Sequence, residues 1–322
     1  MNMNRQRVVT TTGVVARQKS LGMRVKNNIG YYVMFLPVFI FVLIMNYWPM
    51  LGVRYAFYDY KPVGEKVFVG LSHFTKMFAT NAFWVSFWNT LELSVMKLVL
   101  TTLASVVVSI FLNEMGNLFA KKVLQTVIYL PHFMSWAVVA AIFSLFLSPS
   151  STGMVNGLLK QWGILAENAQ NIYFLAEEKW WTPIFYIINI WKDTGWGTII
   201  FLATLSGISP ELYEAADIDG ASRTQKMRYV TFPALGNTIL TVLILNLAKV
   251  MNLFESVFVL YNNAVYDVSD VIATYIYRQT FTIALPNYGY STAVGLFRSL
   301  VGCLLVLVCN WASKKIRGRG IV

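Results

Sequence analysis

Seven charged side chains sit inside runs that are otherwise long and apolar. They are Glu92, Lys97, Lys192, Asp193, Lys249, Glu255 and Arg298. A charge near the centre of a membrane-crossing helix costs about 2.5–3.5 kcal/mol, so each of these must face a partner group or a wet cavity. Two of the runs carry further polar and aromatic groups: Asn189, Trp191, Lys192, Asp193 and Trp196 in one, and Asn246, Lys249, Asn252 and Glu255 in the next. On a continuous helix, Asn246 and Lys249 share one stripe, with Asn252 and Glu255 nearly on it. Aromatic faces beside amides and charges suit a polyhydroxylated ligand such as a sugar, by ring stacking and many hydrogen bonds. A structural reading stands beside this one. Lys249 can pair with Glu255, Trp191 and Trp196 can pack on neighbours, and asparagines can bridge helices. Lys192 and Asp193 are adjacent and suggest a local charge pair. Glu92 and Lys97 lie five residues apart, poorly placed to pair, so the countercharge must come from another helix. His73 and His132 read as isolated interface residues, not ligands.

The elements that must position these groups are membrane spans. Only 13% of residues are charged, about half the share in a soluble domain. Crossing roughly 30 Å of hydrocarbon takes about 20 apolar residues. Six runs meet that length: Tyr31 to about Leu51, then about 88–112, 123–147, 182–206, 234–260 and 290–312. The first is longer than a signal-peptide core and lacks a small-x-small cleavage site, so it reads as an uncleaved span. Tyr47, Trp48, Trp84, Trp88, Trp180, Trp181 and Trp311 fall near run ends, as an aromatic belt does. Leu71, Phe74 and Phe78 share one helical face and predict a short helix lying in the interface.

The net charge of +11 is distributed around the spans instead of forming a basic stripe, which argues for membrane topology and against nucleic acid. Fifteen lysines and arginines fall on one side: six in residues 1–28, then Lys121, Lys122, Arg223, Lys226, Arg228 and four in the tail. Seven fall on the other: Arg54, Lys61, Lys66, Lys76, Lys160, Lys179 and Arg278. The positive-inside rule therefore puts both termini and the central loop in the cytoplasm. Cys303 and Cys309 are six apart in one apolar run, which suits neither a disulfide nor a metal pair.

Between the fourth and fifth runs lies a charged island, Glu214 to Pro233, whose punctuation predicts two short helices. Ser209 can cap the first, with Pro210 at its first position. Asp219-Gly220 ends it, and Ser222 with Gln225 three residues on gives a capping-box spacing for the second. Leu212, Ala215, Ala216 and Asp219 share one face, and the adjacent alanines leave a shallow surface suited to docking.

Glu214-Ala215-Ala216, Asp219, Gly220, Ala221, Arg223 and Phe232-Pro233 resemble the EAA loop in the permease subunits of bacterial binding-protein-dependent ABC importers. The resemblance extends from about Tyr31 to the end and includes Val69 to Phe74, Trp88-Asn89-Thr90 and Tyr129-Leu130-Pro131. It is strongest to the maltose and glycerol-phosphate branch, including permeases for oligo- and polysaccharides, acidic ones such as alginate among them. It implies an all-α integral membrane protein with six transmembrane helices and a cytoplasmic coupling-helix (EAA) loop. The organisation expected is a basic cytoplasmic segment 1–28, a transmembrane domain 29–313 containing the loop 207–233, and a cytoplasmic tail 314–322. It also implies partners: a second homologous permease subunit, two cytoplasmic ATPase subunits that bind ATP and Mg, and an external or periplasmic solute-binding protein. Together they would import a saccharide across the inner membrane.

The chain has no Gly-x-x-x-x-Gly-Lys-Ser/Thr run, so it is expected to hold no nucleotide of its own. It also lacks His-Glu-x-x-His, Gly-x-Ser-x-Gly and Cys-x-x-Cys, so no catalytic set or metal site is expected. The alternative is an ion-coupled secondary transporter using Glu92, Asp193 or Glu255 as its coupling carboxylate.

Overall fold

The computed structural model describes residues 21–150 and 153–317, so most of the basic N-terminal segment and the end of the tail lie outside the described residues. The chain divides into two units, up to Arg54 and from Tyr55 onward. The first unit holds α1 (Leu21–Asn27) and α2 (Ile29–Val42), then a π-helical turn, Leu43–Tyr47. No residue of α2 is buried, although nearly all its side chains are apolar. A helix apolar on every side suits surroundings of lipid or packed protein.

The second unit starts with a two-stranded antiparallel ribbon, β1 (Tyr58–Asp59) against β2 (Val67–Phe68), paired Tyr58 to Phe68 and Asp59 to Val67. Then comes α3 (Ser72–Ala79), the amphipathic helix predicted from the sequence, which buries His73 and Met77 and leaves Leu71 and Phe78 exposed. The principal packing is between α4 (Asn81–Glu114) and α8 (Glu178–Ser206). Small residues let them approach closely. A Cβ at Gly195 would collide with the Ile128 carbonyl, so only glycine lets α8 lie against the segment before the break described next.

The expected span 123–147 is two helices. α5 (Leu118–Tyr129), extended by a tight turn to Phe133, meets α6 (Trp136–Phe146) at 103°. Pro131 cannot donate a backbone hydrogen bond, and Ser135 Oγ accepts from Val138 N at 3.3 Å to start a new helix. The expected span 234–260 also ends early. α11 (Phe232–Leu247) gives way to a 3-10 turn, Val250–Asn252, and then to α12 (Glu255–Phe258). The Ser94 hydroxyl on α4 donates to the Val250 carbonyl at 2.8 Å and satisfies a backbone group that the interrupted helix leaves open. Between these elements lie α7 (Met154–Gln161), α9 (Pro210–Ile218) and α10 (Arg223–Lys226), and the chain closes with α13 (Tyr266–Ser269), α14 (Ile272–Phe281) and α15 (Tyr288–Arg317).

Among the described residues four helices are long and apolar enough to cross a membrane, or five if the bent pair counts as one span. α8 has 29 residues and the length to cross but is not in that apolar set, and it carries Lys192 and Asp193 near its middle. One acid is held firmly. Asp270 is 3% exposed and accepts from Ser86 Oγ at 2.9 Å, Thr274 Oγ1 at 2.8 Å and Arg278 Nη2 at 2.6 Å. This network ties α4 to the segment joining α13 and α14.

Candidate functional site

α4, α8 and the end of α11 enclose a cleft of about 620 Å³. α4 contributes Lys97, Thr101 and Ser105, and α8 contributes Asp193 and Trp196. Asn246, Lys249 and Asn252 come from the end of α11 and the turn after it. Leu98, Ile200, Val242 and Leu245 supply the apolar part of the wall. Five of the sequence-derived candidates therefore meet in one place: Asp193, Trp196, Asn246, Lys249 and Asn252.

They do not meet as a helical stripe. α11 stops at Leu247, so Lys249 and Asn252 reach the cleft from a tight turn, and Glu255 is carried away at the start of α12 and does not line it. Lys249 and Glu255 form no ion pair among the described residues. Asn189 and Trp191 lie off the cleft as well. Asn189 is fully buried and donates back to the Phe185 carbonyl at 2.7 Å. Trp191 stands edge-on to Phe143, with ring centroids 5.4 Å apart.

The adjacent pair Lys192 and Asp193 does not close on itself, because consecutive residues on a helix point about 100° apart. Asp193 Oδ2 reaches Lys97 Nζ across the α4–α8 contact at 3.2 Å, which supplies the countercharge Lys97 lacks on its own helix. Lys192 turns the other way and is 5% exposed. Its Nζ donates to the His132 carbonyl at 2.9 Å and lies 3.5 Å from that of Pro131, at the break between α5 and α6. The broken helix end presents the His132 carbonyl and a negative dipole, and a buried cation satisfies both, while the Pro131 carbonyl also accepts from Met134 N at 3.2 Å.

His132, read from sequence as an isolated interface residue, belongs to the cleft. Its ring stacks on Trp196 at 5.1 Å and 15°, and its Nδ1 lies 3.5 Å from Asp193 Oδ1 without hydrogen-bond alignment. The signal was present in the sequence: a histidine beside Pro131 in the middle of an apolar run marks a break, and a break exposes polar groups. The cleft thus holds two lysines against one acid among the described residues, with the stacked His132 and Trp196 rings in its wall. That arrangement can bind a ring-shaped polar ligand and favours an anionic one. No group of three metal-ligating side chains exists among the described residues.

The charged island folds as two short helices. α9 and α10 flank Gly220, whose φ of +71° is one that side-chain-bearing residues rarely adopt. Ser222 and Gln225 form the capping box, with Ser222 N donating to Gln225 Oε1 at 2.7 Å. Ser209 makes no side-chain cap, so α9 begins on Pro210 alone. Glu214 lies in the middle of α9. It is exposed with Ala215 and Asp219, while Ala216 and Ala221 are half-buried. Leu212 is 54% and Ile218 87% exposed, an uncovered apolar edge on a small helix. The hairpin is fixed to the helices by Arg223 on Glu114, by Tyr213 Oη against Thr231 Oγ1 at 3.0 Å, and by Pro233 opening α11.

A family model described as "Binding-protein-dependent transport system inner membrane component" matches residues 102–318, a range that covers the whole hairpin and most of the cleft. The chain belongs to this family. Its relatives include protein LplB of Bacillus subtilis, 37% identical over 300 residues and 92% of each chain. Another is the polygalacturonan/rhamnogalacturonan transport system permease protein YteP of the same organism, 37% identical over 90% of this chain and 89% of that one. The fold matches a chain in the crystal structure of a bacterial ABC transporter involved in import of the acidic polysaccharide alginate, with TM-score 0.83 and 36% identity over 93% of this chain and all of the other. It also matches the bacterial alginate ABC transporter in complex with an alginate pentasaccharide-bound periplasmic protein, with TM-score 0.84 and 35% identity over 94% of this chain and all of the other. In a transport component of this family, a cleft between helices and an uncovered hairpin outside it are the two parts to account for.

Proposed function

We propose that this chain is one half of the translocation path of an ATP-driven importer for an oligo- or polysaccharide, acidic in character. The cleft carries the reading: Lys97 and Lys249 face it against a single acid, Asp193, beside the Trp196 and His132 rings. Stacking surfaces suit sugar rings, and the excess of cations suits uronate groups. The relatives point the same way, since alginate is an acidic polysaccharide. Asn246 and Asn252 add hydrogen-bonding amides to that path, whereas Asn189, Trp191, Lys192 and Glu255 act behind it.

In this reading the chain crosses the membrane six times, with the bent pair and α8 each counted as a span. Residues 29–313 form the transmembrane domain, and both termini and the α9–α10 hairpin are cytoplasmic. A second, homologous permease completes the path. Each permease docks one ATPase subunit on its hairpin through Glu214, Ala215, Ala216, Asp219, Gly220, Ala221 and Arg223. The chain itself holds neither ATP nor Mg. Closure of the ATPases shifts the permeases only if the closed state binds the hairpins better in one arrangement than in the other. A solute-binding protein delivers the saccharide from outside.

The deciding measurement is uptake into proteoliposomes containing both permeases and the ATPase, with binding protein added outside. ATP-dependent uptake of a uronate oligosaccharide is expected, with little uptake of a neutral maltooligosaccharide. Uptake that persists without the ATPase and collapses with the proton gradient would instead establish a secondary transporter. A cysteine at position 225 should label only from the cytoplasmic side and one at position 165 only from outside. Labelling of both from one side removes the six-span arrangement.

A further inference from the structure

Two acids that α4 contacts, Asp270 through Ser86 and Asp193 through Lys97, are held differently. Asp270 is buried and takes three side-chain donors at 2.6–2.9 Å, an acid made to stay paired. Asp193 is not. Its side chain is 27% exposed, its contact to Lys97 is 3.2 Å, and among the described residues no serine, threonine or amide donates to it. Charge-assisted hydrogen bonds are normally shorter, about 2.7–2.9 Å. His132 Nδ1 faces its second oxygen at 3.5 Å, shut off from solvent and without a hydrogen bond.

Lys97 has few alternatives. Its side chain is 23% exposed and lines the cleft, its Nζ lies 5.6 Å from the centre of the Trp136 ring, and Asp193 is its one ion-pair partner among the described residues. Lys192 shares the Trp136 ring at 5.3 Å but spends its donors on backbone carbonyls. The loose carboxylate therefore sits where an anion entering the cleft would be drawn.

We propose that Asp193 is a resident stand-in for the substrate's carboxylate, occupying Lys97 in the empty cleft and yielding it to an acidic saccharide in transit. This rests on the reading of the chain as an importer of acidic saccharides. A neutral sugar brings nothing to exchange, so the Lys97–Asp193 pair stays closed in front of it. An acidic sugar exchanges one carboxylate for another, so Lys97 is never stripped of a countercharge. The competition keeps binding weak, and a translocation path needs sites that release as readily as they accept.

The test uses the complete transporter of both permeases and ATPases in detergent, with a fluorescently labelled tetragalacturonate and its methyl-esterified, neutral counterpart as probes. The readout is the ratio of the two affinities. Asp193→Asn should shift the ratio toward the acid by on the order of threefold, because the half-buried pair it removes is loosely held at 3.2 Å and worth little. Lys97→Met should shift it the other way by about tenfold, the worth of a lost charge-assisted contact. Lys97→Arg should stay near the parent, and the double variant should behave as Lys97→Met alone. Weakening of both probes equally by Asp193→Asn would make the pair a structural clamp and overturn the proposal, as would an unmoved ratio. A parent complex that binds the ester as well as the acid would overturn the acidic reading itself, and the stand-in with it.

Discussion

Arg223, at the start of α10, grips the end of α4 through Glu114: Nε lies 2.6 Å from the carboxylate Oε2, and Nη2 donates to the Glu114 carbonyl oxygen at 2.8 Å. One side chain thus closes an ion pair and caps the C-terminal end of a 34-residue helix whose other wall lines the cleft. It joins the hairpin to the helix that lines the cleft. Val107, Ile110, Phe111, Met115 and Met227 line an apolar hollow beside the pair.

The first prediction follows from that fork. Arg223→Lys keeps the charge but loses the two-point geometry. Arg223 is 71% exposed, so the protein should unfold at nearly the parent temperature. Substrate-stimulated ATP hydrolysis by the assembled transporter should fall severalfold, and Glu114→Gln should fall with it without adding to it. Additive losses would mean that the two residues act separately.

A second prediction concerns Gly220. With φ at +71°, any L-residue there carries left-handed strain of about 1–2 kcal/mol, and a β-branched one more. No neighbouring atom would touch a Cβ, so the effect is backbone strain and not a clash. Gly220→Asn should therefore be tolerated, Gly220→Ala be intermediate, and Gly220→Val lose association with the ATPase, measured by co-purification. If all three behave alike, the reversal does not depend on that conformation.

The hairpin and the cleft were legible in the sequence to different degrees. Ser222, Gln225 and Gly220 act through neighbours within a few residues, so spacing alone placed them correctly. Ser209 had the right type and position but makes no cap, because Pro210 starts α9 without it. The cleft failed where it depends on partners distant in sequence. Nothing near Val250 announces that Ser94 will take its carbonyl and let the helix end, and that contact spans 156 residues. The same holds for Lys97 with Asp193, where sequence demanded a countercharge and could not say which helix would bring it.

The third prediction tests Lys192 as the residue that holds the break between α5 and α6. Lys192→Met keeps an apolar stem but leaves the His132 carbonyl without its donor, whereas the Pro131 carbonyl keeps Met134 N at 3.2 Å. An unsatisfied buried acceptor costs about 1–3 kcal/mol, partly offset by no longer burying a charge. The unfolding temperature in detergent should drop, and transport should fall with it because His132 and Trp196 lose their fixed position. An unchanged unfolding temperature would mean that water or lipid replaces the ammonium group there.

Trp196 gives the last prediction, and the one that most directly tests the cleft as a sugar path. It is 53% exposed, lines the cleft and stacks on His132. A half-exposed ring contributes little to folding, since surface substitutions usually stay within about 0.5 kcal/mol. Its stacking partner is another cleft residue, so an open face remains available to a ligand. Offset-stacked aromatic contacts are worth roughly 0.5–1.5 kcal/mol beyond burial, which sets the scale for a sugar ring on the same surface. Trp196→Ala should raise the KM for saccharide uptake on the order of tenfold while leaving the unfolding temperature nearly unchanged. Trp196→Phe should recover most of the loss, because it restores a flat face without the indole nitrogen. A fall in kcat at constant KM would instead assign Trp196 to the conformational change. No change in either would remove it from the path and leave Lys97, Asp193, Asn246 and Lys249 to carry the site.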